Sequence, residues 1–180
     1  MNRSTTSRAR HSSVSLMRMG IFTALIAVGA FIRIPVPVCP FTLQLLFTTL
    51  AGILLGSRRG GGAVLVYLAL GLAGVPVFTE GGGIAYIFQP TFGYLIGFAG
   101  GAWLTGRIVE MAPSGSLARY VVACFAGLAV VYGCGMVYVY VINNFYLGTP
   151  LGLWPLILYC FLMAVPGDIV LCLLEAVLGR

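Results

Sequence analysis

The chain has 180 residues, of which 60% are hydrophobic and 8% charged, with a mean hydropathy of +1.05. A soluble domain of this size carries roughly a quarter of charged residues on its surface, so the composition excludes one and requires an all-α integral membrane protein. The formal charge of +6 comes from arginines strewn along predicted loops; no basic patch with interleaved aromatics is present, which argues for membrane topology and against a nucleic-acid partner.

Residues 1–16, MNRSTTSRARHSSVSL, are polar and rich in Arg and Ser. With neither an apolar run nor a small-residue cleavage site, they are expected to form a disordered cytoplasmic tail and not a cleaved signal peptide. The membrane domain then fills residues 17–180 with six predicted spans. The first runs from about Met17 to Ile34 and stops at RIPVPVCP, because proline fixes φ and disfavours helix in the residue before it. The second runs from about Phe41 to Leu55, closing at GSRRGGG, and the third from about Ala63 to Gly74, closing at GVPVFTEGGG. The fourth spans about Thr91 to Thr105 and the fifth about Tyr120 to Ile142. The sixth extends from about Leu151 to Leu178, interrupted at Pro166. A crossing needs about 20 apolar residues, so the second and third are short.

The arginines orient these spans. With the N-terminus inside, Arg3, Arg8, Arg10, Arg18, Arg58, Arg59, Arg107, Arg119 and Arg180 are cytoplasmic and Arg33 alone is outside. That asymmetry is the positive-inside pattern, and an even number of spans returns the C-terminus to the cytoplasm. Arg33 does not follow the pattern and becomes a candidate for binding an anion. In the first span, Gly20, Ala24 and Ala27, with Thr23 and Ala30, form a small-residue face that lets helix backbones approach closely, either within this chain or against a partner membrane protein.

Reactive chemistry is scarce. Lysine is absent, His11 is the single histidine, and Cys39, Cys124, Cys134, Cys160 and Cys172 form no C-x-x-C pair. The cysteines are read as packing residues, with no metal, no cofactor and no required disulfide. No nucleophile–base pair falls within the spans, so enzymatic activity is not expected.

The polar exceptions are therefore informative. Asp168 lies ten residues before the last span's cytoplasmic end at Leu178, at a depth of about 15 Å, near the bilayer midplane. An aspartate there costs about 2.5–3.5 kcal/mol on insertion. Pro166 and Gly167 weaken the helix just where the carboxylate emerges, as at a cavity wall. Glu175, seven residues on, is expected as a solvated or Arg180-paired end charge. On the outer side, Thr42 and Gln44 follow the proline segment. VFTEGGGIAYIFQPTFGY supplies Thr79, Glu80, Tyr86, Gln89, Thr91 and Tyr94, and INNFY supplies Asn143 and Asn144. Singly, each serves as a cap or turn residue; together they suit a neutral, hydrogen-bonding solute with a small apolar body.

The blocks RIPVPVCPFTLQ, AGILLGSRRGGG, YLALGLAGVPVFTEGGG, QPTFGYLIGF and VPGDIV, in this order over residues 17–178, resemble the biotin-specific substrate-binding (S) component of energy-coupling factor (ECF) transporters. The resemblance implies a six-helix S-component fold with a biotin pocket in the outer half. It implies docking of Gly20, Ala24 and Ala27 onto a transmembrane coupling protein that carries two cytoplasmic ATP-binding-cassette ATPases. It implies a prokaryotic cytoplasmic membrane, with high-affinity biotin capture followed by uptake driven by ATP hydrolysis in the partners. The chain itself has no G-x-x-x-x-G-K-[ST]. In this reading Asp168 accepts the ureido N–H groups, Tyr94 and Phe92 line the ring system, and Arg33 or Gln89 receives the valerate carboxylate. Thr42, Gln44, Glu80 and Asn143 complete the candidate set. The family commonly has a lysine three residues after this aspartate; here the position is Leu171. Gln44, Asn143 or another amide is then left to meet the ureido carbonyl, or affinity and specificity differ. Alternatives are an S component for another small vitamin, a proton channel titrating at Asp168, and a ligand-free structural subunit.

Overall fold

A computed structural model of the chain describes residues 3–34, 40–111 and 116–179, with side chains from residue 13 onward. Six helices follow in order: α1 (Arg3–Phe31), α2 (Gln44–Leu55), α3 (Ser57–Leu72), α4 (Phe92–Glu110), α5 (Leu117–Tyr146) and α6 (Leu153–Leu178). The expected all-α architecture is what forms. The exceptions are one 3₁₀ turn at Ile84–Phe88 and a small hairpin of β1 (Arg33–Ile34) and β2 (Phe41–Thr42), with Arg33 opposite Thr42 and Ile34 opposite Phe41. Most of RIPVPVCP, including Cys39, lies outside the described residues. Cys124, Cys134, Cys160 and Cys172 are free thiols. Among the described residues, α1 (from Ser13), α5 and α6 are long and apolar enough to cross a membrane, and α2 is a shorter apolar helix.

Two boundaries depart from the sequence reading. The segment expected as a disordered tail is helical from Arg3, continuous with α1; nothing before Gly20 is a proline or glycine, so no residue interrupts the helix. The glycine-rich GSRRGGG, taken as a loop, is the first turns of α3. Gly56 at φ +81° makes the whole connection, a left-handed conformation that glycine adopts without a Cβ penalty. The glycines that follow serve packing. A Cβ at Gly60 would lie 2.6 Å from the Ala51 carbonyl oxygen and the Gly52 Cα, so α2 and α3 touch backbone to backbone.

The core forms around α4, which packs against α5 along most of its length and against α2 and α3 on its other side. Tyr67, Phe78, Phe92, Tyr94, Phe98 and Tyr132 contribute its large rings. Phe78, from the loop after α3, is fully buried between Tyr67 and Tyr86 at ring-centroid distances of 5.4 and 4.6 Å. Polar contacts mark the two ends of the bundle. At one end, Arg33 joins the hairpin to Thr79 and Phe88 stacks on Tyr146 at 4.7 Å. At the other, the Ser57 backbone N–H and hydroxyl donate to Glu110 at 2.8 and 2.7 Å. This places a carboxylate on the N-terminus of α3, where free N–H groups and the helix dipole favour it. These two hydrogen bonds hold the Glu110 carboxyl below its ordinary value.

The last helix is irregular. α6 starts as an α turn, widens to π-helical hydrogen bonding over Leu158–Leu162, and resumes as α from Val165 to Leu178. Pro166 sits in the first turn of that final segment, where its missing N–H costs nothing.

Candidate ligand-binding site

A cavity of about 600 Å³, counting the part open to solvent, sits at the hairpin end of the bundle. β2 and the start of α2 contribute Phe41, Thr42 and Gln44 to its wall, and the loop between α3 and α4 contributes Thr79, Tyr86 and Thr91. α4 adds Tyr94 and Phe98, α5 adds Tyr132, and the irregular part of α6 adds Cys160 and Ala164. Asp168 is the only charged side chain among these lining residues.

Each wall is fixed by a specific contact. Phe41 lies over the backbone of Gly167, where a Cβ would come within 2.9 Å of its ring, so the hairpin closes directly above the aspartate's own helix. Gln44 is 2% exposed and donates through Nε2 to the Tyr67 hydroxyl at 2.8 Å; Tyr67 in turn donates to the Val77 carbonyl at 3.0 Å. The relay anchors α2 to α3 and to the loop that follows. Tyr94 packs its ring onto Gly135 of α5 and donates its hydroxyl to the Cys160 carbonyl at 3.2 Å. Cys160 belongs to the π-helical segment, so the tyrosine meets a carbonyl in the widened turn.

Asp168 is 7% exposed, and its Oδ2 accepts a hydrogen bond from the Tyr132 hydroxyl. Tyr132 is held edge-on by Tyr94 and Phe161, at centroid distances of 6.1 and 5.2 Å. The arrangement is one carboxylate in an apolar and aromatic chamber, with hydroxyls and an amide toward its mouth. Such a chamber accepts hydrogen bonds from a buried N–H donor and covers a flat apolar ring.

The structure brings together Thr42, Gln44, Thr79, Tyr86, Thr91, Tyr94 and Asp168 of the residues read from the sequence. Phe92 packs at 5.9 Å against Tyr138, behind the cavity wall. Arg33 is exposed at the rim, donating to the Thr79 carbonyl. Glu80 and Gln89 are exposed on the loop between α3 and α4. Asn143 is turned to its own helix end, donating to the Val139 carbonyl at 2.9 Å and accepting from Thr149 at 3.2 Å. These five do not line the cavity. Sequence reasoning missed Tyr132 and Phe98, both embedded in apolar helical runs.

Glu175 corrects a further expectation. It is fully buried and not a solvated end charge, because it shares the inward face of α6 with Asp168 and Cys172. The Thr49 hydroxyl and Cys124 thiol are its polar neighbours, yet neither carboxyl oxygen meets a hydrogen-bond partner among the described residues.

On the small-residue face, Gly20 and Ala24 are exposed and Ala27 is half-buried against the core. Thr23 and Ala30 face inward, the Thr23 hydroxyl reaching the Ala63 carbonyl of α3 at 3.0 Å.

Comparison with known proteins bears on this geometry. The family described as the BioY family matches residues 1–180. A protein named "Probable biotin transporter BioY" from Lysinibacillus sphaericus is 44% identical over 171 residues, covering 95% of this chain and 87% of its own length. The "Biotin transporter BioY" of Rhizobium etli is 37% identical over 182 residues, covering 94% and 92%. Among solved structures, the S-component for biotin from an ECF-type ABC transporter superposes with a TM-score of 0.80 at 28% identity, covering 95% of this chain and 91% of that one.

Proposed function

The chain belongs to the BioY family, and from that membership we propose that it is the biotin-binding S component of an ECF-type transporter, taking the vitamin from the outer side of the membrane for uptake. The observation that carries this reading is the single carboxylate at the floor of an outer-end cavity walled by aromatic and aliphatic side chains. Biotin's ureido ring presents N–H donors on a compact bicycle with an apolar tail. Asp168 accepts one of those N–H groups, the rings of Tyr94, Phe41 and Phe98 cover the bicycle, and Thr42 and Gln44 meet its polar edge. The valerate extends to the mouth, past the rim where Arg33 is held on the Thr79 carbonyl.

The partners follow from the exposed side of α1. A Cβ at Gly20 meets nothing within 4 Å, and Gly20 and Ala24 lie open among exposed Leu16, Met17, Ile21 and Val28. This is a flat strip on which a transmembrane helix of a coupling protein packs closely. That protein connects to two cytoplasmic ATPases, which hydrolyse the ATP. Arg58, Arg59, Arg107 and Arg119 lie toward the Ser57–Glu110 end, which supports a multi-pass topology with both termini cytoplasmic and the cavity facing outward.

The test is binding of labelled biotin to the purified full chain. Saturable binding is expected, with Asp168→Ala weakening it about tenfold or more, since a hydrogen bond to a charged group contributes about 1.5–3 kcal/mol. Full biotin affinity in a folded Asp168→Ala chain excludes the aspartate from the site, and no binding by the native chain excludes the whole reading.

A further inference from the structure

The hydrogen bond between Tyr132 and Asp168 does more than satisfy a buried tyrosine. A carboxylate standing alone in an apolar chamber, with both oxygens open, is the natural receptor for a planar cation. Guanidinium and amidinium groups offer two parallel N–H donors at the spacing of the two carboxylate oxygens and add a full opposite charge. Among the described residues no other charged group lines this cavity, so none of them would repel such a cation. A site built this way would prefer guanidines to ureas.

Tyr132 works against that option. Its hydroxyl donates to Oδ2 of Asp168, which uses a lone pair of one of the two oxygens a bidentate cation needs and sets the tyrosine beside it. The edge contacts with Tyr94 on α4 and Phe161 on α6 keep the ring from swinging aside. Both Tyr132 and Asp168 are 7% exposed, so bulk water does not stand ready to replace the bond. The remaining oxygen accepts a single N–H, which is what one edge of a urea offers beside its carbonyl.

We propose that Tyr132 is a specificity-determining positioning residue: by occupying one oxygen of Asp168 it fits the site to a neutral cyclic urea and rejects the corresponding cyclic guanidinium. The proposal rests on the biotin reading above. Selectivity here comes from blocking the competitor's better geometry as much as from contacts to the preferred ligand.

The matched probe pair is biotin and 2-iminobiotin, which share the bicycle and the valerate and differ in that the urea is replaced by a guanidine, protonated at neutral pH. Calorimetric titration of the full chain with both is expected to show the native protein preferring biotin by about tenfold or more. Tyr132→Phe, which deletes one oxygen and keeps the ring, is expected to shift the biotin-to-iminobiotin affinity ratio toward iminobiotin by about tenfold. In an Asp168→Asn background the same Phe substitution is expected to leave the ratio unchanged, because the tyrosine acts through the carboxylate. A purely structural role for Tyr132 lowers both affinities by one factor, and that result overturns the inference. A native chain that binds biotin but binds 2-iminobiotin equally or better also overturns it, and this measurement decides the matter even if Tyr132→Phe does not fold. A native chain that binds neither defeats the biotin reading itself.

Discussion

The guanidinium of Arg33 donates to the carbonyl oxygen of Thr79 at 3.0 Å, joining two outer loops 46 residues apart in the chain. The bond is exposed and holds the hairpin to Thr79, which lines the cavity. A hydrogen bond of this kind contributes about 0.5–1.5 kcal/mol. Arg33→Ala is therefore expected to speed both entry and loss of biotin by roughly two- to tenfold, with a smaller change in equilibrium affinity. Stopped-flow association and ligand-washout rates check it. The same factor is expected for biotin and its uncharged carboxamide; an effect confined to the acid assigns the guanidinium to the ligand's carboxylate instead.

Gly60 and Gly20 are both glycines in helices, with opposite surroundings. Gly60→Ala forces a Cβ against the backbone of Ala51 and Gly52 and is expected to lower stability by about 1–3 kcal/mol, the usual cost of overpacking. A Cβ at Gly20 meets nothing within 4 Å, and Gly20→Leu is expected to leave thermal stability and biotin binding unchanged. It is expected to reduce biotin uptake in cells that supply the coupling protein and ATPases. Thermal unfolding in detergent and cellular uptake assays separate the two effects.

At the opposite end, Glu110 is held below its ordinary titration range by Ser57. A carboxyl whose folded value is depressed contributes stability above its unfolded value, and loses it as pH falls through the folded one. The native chain's melting temperature is thus expected to drop as the pH falls through and below the ordinary carboxylate range. Glu110→Gln is expected to be less stable at neutral pH and to show a flatter acid profile. Parallel profiles for the two proteins remove Glu110 from the acid response.

Glu175 carries a buried carboxyl that meets no hydrogen-bond partner among the described residues. An unsatisfied buried polar group costs about 1–3 kcal/mol, and an apolar side chain of similar volume removes that cost. Glu175→Met is expected to raise the unfolding midpoint. A lowered midpoint indicates that Thr49 and Cys124 compensate the carboxyl more fully than their geometry conveys.

The features legible in the sequence were those that violate an expectation set by their surroundings. Asp168 stood out because its insertion cost is high in an aliphatic run, and Gln44 because an amide opens an apolar helix; both line the cavity. Tyr132 carried no such mark. It is one of nine tyrosines, in a helix where an aromatic is ordinary filling, and only packing reveals that its hydroxyl reaches α6. Glu80, Gln89, Phe92 and Asn143 were drawn in by proximity in sequence to the predicted outer loops, and Arg33 by its break with the positive-inside pattern. The structure gives Arg33 and Asn143 to backbone carbonyls, because exposed loops and helix ends must satisfy their own polar groups first. GSRRGGG reads as the segment that closes the second span, whereas its glycines open α3 and pack it against α2, a contact that sequence alone does not reveal. Glu175 was misread because nearness to the chain end outweighed its periodicity with Asp168.

The widened turn at Leu158–Leu162 has a consequence for how α6 keeps its facing. Residues 156, 160, 168, 172 and 176 are all buried, a repeat of four or multiples of four. A regular α-helix advances about 100° per residue, so such a repeat would drift by about 40° at every step. The π turn holds more residues per revolution and absorbs part of that drift before Asp168 is reached. It is therefore the one stretch of α6 where a residue can be dropped, turning the wide coil into an ordinary one, while the acid still points inward. The same deletion after Val165 would swing every later side chain around the cylinder and leave the chamber without its floor.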